Sequence, residues 1–187
     1  MKIATTMPFR FRLIVALLLA ATVSSTATLE KLSVDQMIQK STIVVRGTVS
    51  GSYAAFRGPL IYTHWKIQVQ EELKGSAAGS IEVVTPGGRA NALEQTFSGS
   101  PLLLKGSQYV LFVWRSPSGL HHLVGLSQGA LAVKDDSKGA AVVTRMAISE
   151  PMLDVRSGKP VRDEGLTLSL DELRQRVRSA AGAEALQ

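Results

Sequence analysis

The chain is expected to fold as a mainly β protein, an antiparallel barrel or sandwich with a short helix before it and an amphipathic helix after it. Three observations lead there. Ile61, Thr63, Trp65, Ile67 and Val69 alternate with Tyr62, His64, Lys66, Gln68 and Gln70, a period of two with one apolar face. Further short apolar, β-branched runs are separated by Gly-, Pro-, Asp- and Ser-bearing turns. Two helix-start signatures, Ser33-Val-Asp-Gln36 and Ser169-Leu-Asp-Glu172, stand at either end of these runs.

Residues 1–27 come first. Lys2, Arg10 and Arg12 precede an apolar run at residues 13–21, and small residues follow up to Ser25-Thr-Ala27. This is the order of a secretory signal peptide: a charged start, an apolar centre and a small-x-small cleavage site. The run is about half the roughly 20 residues a membrane-spanning helix needs. Cleavage is therefore expected after Ala27, with Thr28 opening the mature chain and export to a periplasm or the medium. No cysteine is available for a lipid anchor, and no later stretch is apolar enough to span a bilayer.

Within residues 28–144, the Ser33 capping box starts a helix to about Lys40, with Leu32 and Met37 placed as a hydrophobic staple. Residues 42–50 are β-branched and read as a strand, and Gly58-Pro59 marks a turn. The alternating strand at 60–73 ends at Lys74-Gly75. Residues 81–85 form the next strand, stopped by Pro86-Gly87-Gly88. From Pro86 to Gly106 no period is visible, and loops of that length in compact domains are commonly functional. Strands are then expected at 108–114, 120–126, 130–134 and 140–144. Residues 145–187 read as an extended tail followed by a helix with Leu170, Leu173, Val177 and Ala180 on one face. Asp171 and Glu172 in its first turn and Arg174, Arg176 and Arg178 later suit the helix dipole.

Composition narrows the function classes. Without cysteine there are no disulfides and no thiolate zinc sites. Half of the formal +6 charge lies in Lys2, Arg10 and Arg12, and the other cations are scattered, so no basic stripe for nucleic acid emerges. His121 and His122 are adjacent, so on a strand they point to opposite faces and do not share a metal. Neither a metal nor a cofactor is expected. Gly125-Leu-Ser127-Gln-Gly129 matches the G-x-S-x-G pattern of hydrolase elbows, but the elbow needs a helix after the serine. Residues 130–133 look like a strand, and all three histidines precede Ser127. A turn between strands accounts for the pattern, and no catalytic residue is assigned. The long loop supplies the binding candidates: Gly87 and Gly88 with their backbone N–H groups, the Arg89 guanidinium, and Phe97 as its one aromatic.

Residues 41–49 (STIVVRGTV), 67–75 (IQVQEELKG), 81–84 (IEVV) and 105–112 (KGSQYVLF) resemble exported bacterial domains related to the tissue inhibitors of metalloproteinases and netrin-like modules. The shared scheme is a strand with a central glycine, a long strand ending Glu-x-x-Lys-Gly, and a later Gly-x-x-Tyr strand, over roughly residues 41–115. The resemblance implies an OB-like barrel of five strands with additions, and makes a protease-inhibitor-like role a candidate. Animal inhibitors of that family grip the catalytic zinc with an N-terminal cysteine. Thr28 stands at the expected start here, and residues 29–40 look helical, so no site residue is transferred. The expected function is an exported, non-enzymatic protein-binding domain. Its partner is expected to be another exported protein, with a metalloprotease as one candidate. The alternatives are a serine hydrolase using Ser127 and an OB-type binder of oligosaccharide or nucleic acid using Tyr53 and Tyr62.

Overall fold

The computed structural model describes residues 28–184, and the expected signal segment lies outside the described residues. Strand β1 (Leu29–Glu30) leads into helix α1 (Val34–Lys40). The Ser33 Oγ accepts from Gln36 N–H and the Gln36 side chain accepts from Ser33 N–H, so both bonds of the expected capping box are present. Strands β2 (Ile43–Arg57) and β3 (Leu60–Lys74) form a long hairpin around Gly58-Pro59, and β4 (Ser80–Pro86) completes the meander. Register shifts at Val44/Val45, Arg46/Gly47 and Val49/Gly51 coil the hairpin. At Gly47 a Cβ would lie 2.4 Å from Ile67 Cγ2, so only glycine fits the bend.

Strand β7 (Gln108–Arg115) is the centre of the molecule. One edge pairs with β2. The other pairs with β8 (His121–Leu123) and, past a 3-10 turn at Leu126–Gly129, with β9 (Ala130–Asp135). Strands β10 (Ala141–Arg145) and β13 (Leu166–Ser169) extend the sheet, giving the order β13-β10-β9-β7-β2-β3-β4-β8. The molecule is thus mainly β, as expected, but the sheet is not a closed barrel. Strand β8 is three residues long and meets β4 at a single bridged pair, Val84↔His122. Beside that bridge His121 Nδ1 donates to the Glu82 carbonyl at 3.3 Å.

Two stretches differ from expectation. The loop after Pro86 holds a hairpin, β5 (Gly88–Ala90) and β6 (Leu93–Gln95). Asn91 and Ala92 turn it with φ of 49° and 63°, the left-handed pair that matches strand twist. Residues 145–167 are not simply an extended tail. Strands β11 (Met152–Leu153) and β12 (Pro160–Val161) form a small sheet with β1, and β13 joins the large one. Isolated two-residue strands carry no period, which is why none showed in the sequence.

The core has two layers, one on each face of β7. Val45, Trp65, Ile67, Val83, Leu111, Val113 and Leu123 fill the concave side. Val110 and Phe112 face outward under α1 and helix α2 (Leu170–Glu184), with Met37, Ile38, Leu173 and Val177. Burial on both faces explains the unbroken apolar run at the centre of β7. Leu170, Leu173 and Val177 are the buried face of α2, as expected, and Ser169 Oγ accepts from Glu172 N–H at 3.0 Å. The last turn of α2 holds no basic residue, and two of its arginines, Arg174 and Arg176, form ion pairs instead. Arg174 holds Glu71 at 2.7 Å and Asp171 at 2.6 Å, and Arg46 reaches Glu71 from β2. The hydrogen bond from Arg174 keeps the Glu71 carboxyl below its ordinary pKa.

Candidate functional site

A cleft of about 530 Å³ opens on the outer face where α1 stops covering the sheet. Side chains of β7 alternate, so Trp114 follows Phe112 outward. Lys40 ends α1, and Trp114 is left 39 % exposed. Its register partner His122 stacks on the indole, with ring centres 4.9 Å apart and planes at 23°. Tyr62 from β3 meets the imidazole edge-on at 6.1 Å. Burial, aided by the Arg57 charge and by His121, holds the His122 pKa below its ordinary value.

Gln128 builds the opposite wall. Its side chain is fully buried: Oε1 accepts from Leu32 N–H at 2.9 Å, and Nε2 donates to the Glu30 carbonyl at 2.8 Å. The primary amide thus stands in for a neighbouring strand and fixes β1 against the 3-10 turn. Gly125 has φ 63°, and a Cβ there would sit 2.9 Å from Leu32 Cδ1. At Gly129 a Cβ would sit 2.4 Å from the Val124 carbonyl oxygen. Both glycines of the G-x-S-x-G match are therefore required by packing. Ser127 lies on a 3-10 turn between β8 and β9, not on a strand-to-helix elbow. Its Oγ is buried without a hydrogen-bond partner among the described residues, and its N–H donates to the Gly99 carbonyl.

The loop residues chosen from the sequence are partly brought together. Gly87, Gly88 and Phe97 line a small cavity of about 210 Å³ above Trp65, and Arg89 stands apart, exposed and opposite Glu94. A Cβ on Gly88 would lie 2.5 Å from Thr63 Oγ1, and φ there is +131°, so this position too answers to packing. Phe97 is half-buried. Bonds from Ile61 N–H to Gln95, from Ser100 Oγ to the Pro86 carbonyl, and from Gly99 N–H to Glu150 anchor the segment. What it offers outward is Leu93, Leu102 and Leu104, 60 %, 78 % and 58 % exposed.

A third cluster lies on the outer face of the β2–β3–β4 meander. Tyr53 stacks on His64 at 4.5 Å, His64 Nδ1 is 2.8 Å from Glu82, and Tyr53 Oη donates to the same carboxylate at 3.1 Å. Lys66 Nζ lies over the Tyr53 ring at 5.6 Å. The expected opposition of His121 and His122 holds: His122 lines the aromatic cleft and His121 a separate hollow beside Glu82. Among the described residues no group of three metal-ligating side chains converges, and no helix is long and apolar enough to cross a membrane.

Sequence reasoning missed the cleft. Trp114, His122, Tyr62 and Gln128 come from separate elements, and of them the sequence names only Tyr62 as a binding candidate, in the OB-type alternative. Comparison of the chain with protein-family models, curated proteins and solved structures gave no match.

Proposed function

We propose that the chain is an exported, non-enzymatic binding domain whose partner is another protein, built on an OB-type barrel. The observation that carries the reading is the trio Leu93, Leu102 and Leu104, large apolar side chains held out into solvent on one anchored loop. Each is a large apolar side chain that burial in a partner would remove from water, which makes the loop that carries all three the candidate contact surface. The pairing sequence β2–β3–β4–β8–β7–β2, with β4 and β8 parallel, supports the barrel, with β9, β10 and β13 as an added wing. The 3-10 turn at Ser127 and the packing role of its flanking glycines speak against a hydrolase elbow. Through the family resemblance, an exported metalloprotease remains one candidate partner.

The test is capture of partners from the exported fraction. A variant with Leu93, Leu102 and Leu104 changed to serine should keep the melting temperature of the wild type and lose the captured partner. Retention of the partner by that folded variant would place the contact surface elsewhere. Export itself is checked by intact mass: protein recovered outside the cytoplasm should begin at Thr28, and full-length chain held in the membrane would speak for an anchor.

A second reading rests on the Tyr53–His64 stack with Lys66 above it, an outward aromatic platform of the kind that binds oligosaccharide or single-stranded nucleic acid. Glu82 at its centre repels phosphate, which favours the sugar. Salt-sensitive binding of an oligonucleotide that Tyr53→Ala abolishes would reverse that preference.

A further inference from the structure

We propose that residues 101–104 are a docking strand: a partner protein adds an extended segment of its own beside them, pairing with the Leu103 backbone and setting apolar side chains against Leu102 and Leu104. The proposal rests on the reading of this loop as the partner surface and names the form in which the partner meets it.

The segment has the geometry of a strand that lacks a neighbour. Residues 101–104 belong to no element, and none of them has a positive φ. Leu102 and Leu104 stand in solvent, whereas Leu103 between them is 3 % exposed and sits in the concave core layer. Exposure that switches at each residue reflects extended backbone, whose side chains leave opposite faces in turn. Bonds at both ends hold this shape. Ser100 Oγ donates to the Pro86 carbonyl, just before the segment. Leu104 N–H donates to Oη of the buried Tyr109 at 3.1 Å, and the Leu104 carbonyl accepts from Ser107 N–H in the turn that leads into β7. A partner therefore meets backbone that is already ordered, which lowers the entropy lost on binding.

The backbone also defines what pairs with it. Neither Leu102 nor Leu103 makes a backbone hydrogen bond among the described residues. In extended chain, the N–H and C=O groups of successive residues point to opposite sides. The Leu104 N–H turns inward to Tyr109, so the Leu103 N–H and carbonyl turn the other way. Antiparallel pairing would join these two groups to one residue of an added strand and bring that residue's neighbours opposite Leu102 and Leu104. Water serves the Leu103 groups in the free protein but not the flanking leucines; an added strand covers both at once. Charged side chains commonly guard exposed strands against such pairing, and residues 101–104 carry none. Pro101, without an N–H, and Lys105 bound the patch, which keeps it short.

The probe is a blocked peptide, Lys-Thr-Val-Thr-Val-Thr-Lys, whose valines fall opposite Leu102 and Leu104 when its central threonine faces Leu103. Titration followed at the Leu103 amide resonance of isotope-labelled protein should saturate, and hydrogen exchange at Leu103 N–H should slow in the complex. The same peptide methylated at its threonine nitrogens loses the hydrogens that point at Leu103 and should bind at least about tenfold more weakly. Methylated instead at its valine nitrogens, which point away, it should bind as the parent does. Leu102→Ser and Leu104→Ser should each weaken the parent peptide several-fold, with melting curves matching the wild type because both side chains lie in solvent. Absence of saturable binding, equal binding of the two methylated peptides, or unchanged exchange at Leu103 overturns strand addition. Sedimentation of the chain alone should show a monomer; a dimer that Leu102→Ser disperses would assign the segment to a second copy and overturn the proposal. The loop reading is tested separately by capture. If the triple leucine-to-serine variant loses its partner while the two methylated peptides bind alike, the loop contact stands and strand addition fails. If that variant keeps its partner while the peptide results hold, the docking strand stands and the loop reading fails.

Discussion

The Gln128 amide supplies Leu32 N–H and the Glu30 carbonyl with the bonds an adjacent strand would give. Gln128→Ala removes both at once, at about 1–3 kcal/mol for each group left buried and unpaired. The expected outcome is a lower denaturation midpoint together with faster hydrogen exchange at Leu32 N–H. Unchanged exchange there would mean β1 is held by β11 alone. Asp163 makes a comparable case with charge. Its side chain is 2 % exposed, pairs with Arg145 and accepts from Ile148 N–H at 2.7 Å. The Arg145 hydrogen bonds hold its pKa below the ordinary aspartate value. A group whose folded pKa is depressed contributes stability above its unfolded pKa, and that contribution fades as pH falls through the folded one. Asp163→Asn should therefore cost about 3–5 kcal/mol at neutral pH, as expected when one partner of a buried pair is removed. It should also flatten the acid limb of the stability profile. A parallel loss at all pH values would show that packing, not ionisation, carries the effect. For Ser127 the expectation is chemical silence: a fluorophosphonate probe should leave it unlabelled in the folded protein, and stoichiometric labelling would restore the hydrolase reading.

At the level of elements, β3 is the clearest success of sequence periodicity. Ile61, Trp65 and Ile67 are buried, and Gln68 points out. Ile67→Ala should destabilise by about 2–5 kcal/mol, whereas Gln68→Ala should stay within about 0.5 kcal/mol. Equal midpoint shifts would contradict the face assignment. The Ser33 capping box was legible for the same reason, its bonds being local, between residues three apart; at the second signature only Ser169 Oγ accepts from Glu172 N–H, and the Glu172 carboxylate turns to Arg176. What local sequence concealed is how far elements extend. Strand β2 runs on through Arg57 because β3 pairs with it as far as Leu60, and its outer end holds few of the apolar residues that mark a strand. The expected strand at 120–126 shrinks to three residues because Gly125 and Leu126 adopt positive φ to seat Gln128.

Across the whole molecule, the C-terminal part is no appendage. Leu168, Leu170, Leu173 and Val177 cover Val110 and Phe112, and β13 closes the edge of β10. Burying four such side chains is worth roughly 6–12 kcal/mol, as much as the entire net stability of many domains. A chain ending before Leu166 should therefore fail to fold cooperatively, seen as loss of a sharp thermal transition. A truncated chain that melts normally would make residues 166–187 a separable unit. The sequence by itself determined the mainly β class, both helices, the Ser33 capping box and the buried face of β3. Each of these is written in spacings of two to four residues along the chain. Only the tertiary structure decided which strands share an edge, that the sheet joins at the single Val84–His122 bridge, and that Trp114, His122 and Tyr62 meet in one cleft. Those contacts join residues tens of positions apart, and their energy depends on surfaces that exist only once the chain has curled back on itself.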